Sequence, residues 1–141
     1  MREVEAVVDH YLSEWGSSGW AHAFHSLVEL GPAALPELEK RFGSIRDHRL
    51  RAELVVIVRH LHTDHSLSLF EAALGDRSPE VWKAALDGLV DLASPGAIAI
   101  LERRRAEPPA GTAEAEWRSW IGEALAQARD ADATRALDDA S

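Results

Sequence analysis

Residues 76–96 read DRSPEVWKAALDGLVDLASPG, a helix with its own start and stop signals and more apolar surface than it can shield alone. Ser78 stands where an N-cap is wanted, Pro79 suits the first helical turn and Glu80 favours the positive end of the helix dipole. Val81, Trp82, Ala85, Leu86, Leu89, Val90 and Leu92 then recur at helical spacing and form a wide apolar face. Ser94-Pro95-Gly96 ends the helix, AIAILERRRAE supplies a second one, and EPPAG breaks the chain again. The unit is a helical hairpin, and its apolar face requires neighbours.

Those neighbours lie at a fixed offset. Thirty-one positions before Ala85, Leu86, Leu89 and Leu92 stand Leu54, Val55, Val58 and Leu61, and thirty-one before those stand Ala23, Phe24, Leu27 and Leu30. Trp82 maps in the same way to Arg51 and Trp20. With one extra residue in the middle turn, the second helices also register: Leu35 with Leu67 and Ile98, Leu38 with Phe70 and Leu101. The pattern predicts helix pairs over 18–42, 46–75 and 79–106. A leading helix over 2–15 is marked by Val4, Val7, Val8, Tyr11, Leu12 and Trp15, and a closing helix over 113–129 by Trp117, Trp120, Ile121, Ala124, Leu125 and Ala128. Leu54, Val55, Val56, Ile57 and Val58 make the middle helix apolar almost all round, as expected where neighbours cover both sides. The terminal helices carry more charge on their outer sides, as caps of a quasi-linear array should. The expected fold is all-α: about eight helices in antiparallel pairs, stacked within one domain over 1–129, with an acidic tail over 130–141 that frays.

Composition narrows the function classes. Lys and Arg total 15 against 24 Asp and Glu, a net charge of -9, which disfavours capture of nucleic acid or an anionic membrane and favours a basic protein partner. No cysteine is present, so disulfides, thiolate catalysis and Cys-ligated zinc are excluded. The stretch MREVEAVVDHYLSEW has no continuous apolar core of the signal-peptide kind, and no apolar run approaches a membrane span, so a cytoplasmic location is expected.

The segment GDRSPEVWKAALDGLVDLASPGAIAILERR resembles a HEAT-like repeat of the short kind first described in phycobilisome lyases, with Asp76, Pro79, Val81, Ala84, Ala85, Leu89, Pro95 and Ile98 at the corresponding places. The resemblance implies a right-handed α-α superhelix with the second helix of each pair on the inner face. Such repeats usually carry an Arg after the Val; Arg51 keeps it, whereas Trp82 and Trp20 replace it, so the Asp-to-Arg ladder of longer arrays is not expected here. No activity follows from the resemblance alone. The di-iron hydroxylases built on such repeats use His-Glu dipeptides, which this chain lacks, and the related DNA glycosylases need a basic groove.

Three residue groups are candidates for function. Glu39, Glu71 and Glu102 follow Leu38, Phe70 and Leu101, so layers about 8–10 Å apart would align them as an acidic ladder for Lys or Arg of a partner. The plainer alternative is a solvated helix face diluted by Lys40, Arg41, Arg103, Arg104 and Arg105. Trp15 and Trp20 flank the turn GSSG, and Trp117 and Trp120 share the last helix; they are either interface anchors or plugs for the open ends of the core. His60, His62, Asp64 and His65 are weak candidates for a metal, since His60 and His62 point to nearly opposite sides of a helix before the chain turns; His22 and His25 form an upstream pair. No nucleophile elbow, phosphate loop or dinucleotide fingerprint occurs, so no catalytic residue and no cofactor is assigned. The expected task is protein binding, most concretely as a small acidic inhibitor or immunity protein that occludes a basic bacterial toxin. An adaptor is the alternative, with a bilin lyase-like or metal-dependent enzyme behind it.

Overall fold

The computed structural model describes residues 2–140; Met1 and Ser141, the ends of the expected domain and tail, lie outside them. The described residues are all-helical, without a strand. The α-helices in chain order are α1 (Arg2–Ser13), α2 (Trp20–Leu30), α3 (Leu35–Phe42), α4 (His48–Leu61), α5 (Leu67–Leu74), α6 (Pro79–Leu92), α7 (Pro95–Arg104) and α8 (Glu114–Ala140), with short 3-10 turns at Gly31–Ala34 and Asp64–Ser66.

Local chemistry sets most of these boundaries. Asp47 caps α4 by accepting the Arg49 amide at 2.9 Å, and Ser94 caps α7 by accepting the Ala97 amide at 3.2 Å. Bonding to the Arg49 amide holds the Asp47 carboxyl below its usual range. Ser78 occupies the N-cap of α6, but its side chain makes no capping bond. Asp76 instead organises that turn, accepting the Ser78 amide at 2.9 Å. α1 stops short of the expected 2–15 because the chain turns at Gly16, whose φ of +79° favours glycine, and Trp15 therefore lies in a turn.

Three hairpins, α2–α3, α4–α5 and α6–α7, share one core. α4 lies against α2 on one side and, far more extensively, against α6 on the other; α6 also packs on α5 and α8, and α5 touches α7. α1 covers α2 and α3, while α8 covers α6 and α7. Equivalent positions have equivalent surroundings: Ala23, Leu54 and Ala85 are buried, as are Leu27, Val58 and Leu89, and Leu38, Phe70 and Leu101. At the next position Val55 and Leu86 are buried, and Phe24 is half-buried near the edge. Burying one such aliphatic side chain contributes about 1.5–3 kcal/mol. Leu54, Val55, Ile57 and Val58 all do so from α4, which makes the α4–α6 contact the centre of the fold.

The largest departure from expectation is α8. Instead of ending near 129 and leaving a frayed tail, it continues as helix to Ala140. Arg135 accounts for the extension: its guanidinium donates to the carbonyls of Leu92 at 3.0 Å and Ala93 at 3.4 Å. These carbonyls end α6, where Ala93 has φ +45° and a cation complements the helix dipole. A basic side chain, rather than buried apolar area, ties down the last turns.

Two glycines provide a controlled test of the packing. A Cβ added at Gly88 would lie 2.5 Å from the buried Phe70 ring, whereas one added at Gly122 on α8 would meet nothing within 4 Å. Both substitutions by Ala gain helix propensity, by about 1 kcal/mol. Gly88→Ala is expected to lose about 1–3 kcal/mol through overpacking, and Gly122→Ala to be neutral or stabilising; urea midpoints at unchanged slope measure both. Arg135→Ala is expected to leave the global unfolding midpoint nearly unchanged while speeding amide exchange at least tenfold over 130–140. Exchange there as slow as in the parent would show that the tail does not depend on Arg135.

Candidate interaction surface

The acidic ladder is engaged by the protein itself. Glu71 on α5 receives Arg103 of α7 through bonds of 2.8–3.1 Å, with the Arg104 Nε 3.8 Å away. Glu102 on α7 receives Arg129 of α8 at 3.3 Å, and Glu39 on α3 accepts the Ser68 hydroxyl of α5 at 2.7 Å. Each carboxylate therefore reaches one layer forward. Bonding to Glu71 raises the Arg103 pKa further above its ordinary value, as the Asp91 carboxylate does for Arg59. Only Glu39 has a neutral partner; Glu71 and Glu102, two rungs of the expected acidic ladder, already hold arginines of the protein itself and act as clasps between layers.

An Asp-to-Arg rung, not expected here, is present at Arg51. Arg51 forks onto Asp76 with bonds of 2.8 and 3.2 Å and also donates to the carbonyls of Ile45 and Arg46 at 3.0 and 2.8 Å. It fastens the second hairpin to the head of the third. The two positions equivalent to Arg51 carry Trp and face the covers of the stack. Trp20 lies 4.1 Å from the Tyr11 ring of α1 and 5.0 Å from Trp15, and Trp82 lies 5.3 Å from Trp117 and 6.0 Å from Trp120 of α8.

The four Trp candidates separate accordingly. Trp117 is fully buried and donates its Nε1 proton to the Arg104 carbonyl at 3.0 Å, so its expected anchoring role is corrected to a core role. Trp15 and Trp20 are half-buried in the cluster over Tyr11. Burial, with the Glu53 charge adding to it, raises the Tyr11 phenol well above its ordinary pKa and keeps it neutral. Trp120 remains 44% exposed. Its ring has the Lys83 ammonium 4.3 Å from its centroid and borders a shallow cleft between α6 and α8, together with Leu86, Asp87, Val90 and Glu123.

The histidine segment does not gather its candidate ligands into one group. His60 bonds the Val56 carbonyl at 2.8 Å and edges against Phe24, and His62 takes the left-handed conformation that ends α4. Asp64 begins the 3-10 turn and His65 lies on it, its amide held by the Thr63 hydroxyl at 3.3 Å. Among the described residues no three His, Cys, Asp or Glu side chains are grouped to hold a metal ion. Among the same residues no helix is long and apolar enough to cross a membrane.

Sequence reading missed Lys83 and the acids of α8 on either side of Trp120. Their signal was available in the series Glu116, Trp120, Glu123, Gln127, Asp130, whose spacings of four, three, four and three residues describe one helix line. The clasp role of Glu71 is testable by charge reversal. Glu71→Lys places a third cation beside Arg103 and Arg104, whereas Glu39→Lys meets only Ser68. Glu71→Lys is expected to destabilise by about 1 kcal/mol, with part of the loss recovered in 0.5 M salt, and Glu39→Lys by less; equal effects in thermal melts would contradict the clasp.

Neither a family model, nor a curated protein, nor a solved structure gives a significant match to this chain.

Proposed function

We propose that the hairpins wind as a short right-handed α-α superhelix of the HEAT-like kind and that the chain is a protein-binding module. In its most concrete form it is a small acidic inhibitor, an immunity protein that occludes a basic bacterial toxin in the cytoplasm. The exposed indole of Trp120 is the observation that carries this reading. Trp is favoured at the centres of interfaces, and this one stands partly in water on a folded helix. The net charge of -9 selects a basic partner and accelerates its approach. An adaptor that holds two partners is the second reading, supported by the half-buried Trp15–Trp20 pair at the opposite end of the array.

Co-expression tests the first reading. Basic proteins encoded beside this chain are expressed alone and together with it. One of them is expected to arrest growth alone, to be harmless with the parent chain, and to co-purify with it at one-to-one stoichiometry. Growth arrest by such a neighbour that persists at full co-expression, with no complex on size exclusion, would contradict the inhibitor reading.

A further inference from the structure

Among the described residues no element covers the outward face of α8. Glu116, Trp120, Glu123, Gln127 and Asp130 form one exposed line along it, about 21 Å long at 1.5 Å per residue. No basic residue interrupts this line. The arginines of α8 are held elsewhere: Arg118 by Glu114, Arg129 by Glu102, and Arg135 by Asp132 and the end of α6. At the cleft beside it, the ammonium of Lys83 rests over the Trp120 ring. The indole face thus already holds a cation of the protein's own, bordered by Asp87 and Glu123.

We infer that this face docks a basic helical segment of a protein partner, with one arginine of that segment replacing Lys83 on the Trp120 indole and forking onto Glu123. Charge complementarity selects the occupant, because the line is acidic on both sides of the aromatic ring and Lys83, at its edge, is the cation it already holds. Arginine suits the position better than lysine, since its planar guanidinium stacks on an indole and forms paired bonds with a carboxylate. Spacing adds a second criterion. Glu116, Glu123 and Asp130 are seven residues apart, about 10 Å per step, so a partner helix with basic residues every seven positions presents its cations in register. The inference rests on the protein-binding reading above and places the interface on α8 rather than along α3, α5 and α7.

The test uses the full chain and a fluorescent alanine-based helical peptide carrying arginine at every seventh position. Affinity is read by anisotropy in physiological salt, and circular dichroism confirms that each variant is folded. Trp120→Ala, and separately Glu116→Gln with Glu123→Gln and Asp130→Asn, are each expected to weaken binding at least fivefold. Lys83→Ala is expected to tighten it about twofold to fivefold, because the indole is vacated. A control with the same change of net charge, Glu3→Gln with Glu5→Gln and Asp64→Asn, is expected to change affinity less than twofold. Equal losses in the stripe and control variants would reduce the effect to bulk charge and overturn the inference, as would unaltered binding by Trp120→Ala. Sedimentation showing a dimer of the parent chain that Trp120→Ala dissolves would assign the face to a second copy and likewise overturn it. The two proposals fail separately: a co-expressed toxin still inhibited by the stripe variant refutes only this placement, whereas peptide binding without any inhibited neighbour refutes only the inhibitor role.

Discussion

Burial of α4 on two sides is the constraint from which the rest of the structure follows. Its Leu54, Val55, Ile57 and Val58 are wholly removed from water, and no single partner helix can cover a face that wide. α2 must lie on one side and α6 on the other, which sets the spacing of the hairpins and transfers the same problem outward. α6 is exposed in its turn and is closed by α8; α2 is closed by α1. Both covering helices, α1 and α8, present a polar outer side.

Polar ties between layers follow the same logic but differ at the ends. Inside the stack Arg51 reaches Asp76 of the next hairpin, Arg59 reaches Asp91 and Asp87, and Glu71 reaches Arg103. A tie of this kind needs a following layer with a matching group in register. Trp82 meets the cover α8, whereas Trp20, which does have a following hairpin, turns back onto Tyr11 of α1; apolar stacking stands in place of the ion pair at both. At this structural position Trp stands in the two hairpins that meet a covering helix and Arg in the one that does not. The pairs themselves are partly solvated, so they contribute to register more than to stability.

The offset of thirty-one made the hairpins legible in the sequence, because Ala85, Leu54 and Ala23 repeat the same burial and Phe70 repeats Leu38 and Leu101. Two features were not legible in that way. Glu39, Glu71 and Glu102 are regular in sequence, yet their partners Ser68, Arg103 and Arg129 lie 29, 32 and 27 positions on, and such unequal offsets do not stand out as a period. The helical tail was missed for a related reason. Burial along 130–140 is slight, so an apolar pattern has nothing to report, and the stabilising contact runs from Arg135 to backbone carbonyls more than forty residues away. Hydrophobic periodicity records what is buried, and it is silent about side chains that complete another helix's terminus.

The tryptophans show where phase decides between core and surface. On α8 the buried residues Trp117, Ile121, Ala124, Leu125 and Ala128 share one side, and at about 100° per residue Trp120 sits roughly 40° outside that arc. Counting Trp120 with its apolar neighbours, as composition suggests, places it in the core; following its phase places it among Glu116, Glu123 and Asp130. The same rotation that exposes the indole surrounds it with carboxylates and brings it within reach of Lys83 on α6. An exposed aromatic ring in an acidic line is a poor surface for self-association, because a second copy would bring like charges together, and a good one for a cationic partner. Exposure and charge at this face thus have one origin, the angular position of residue 120 on a helix whose opposite side is fixed by the need to close α6.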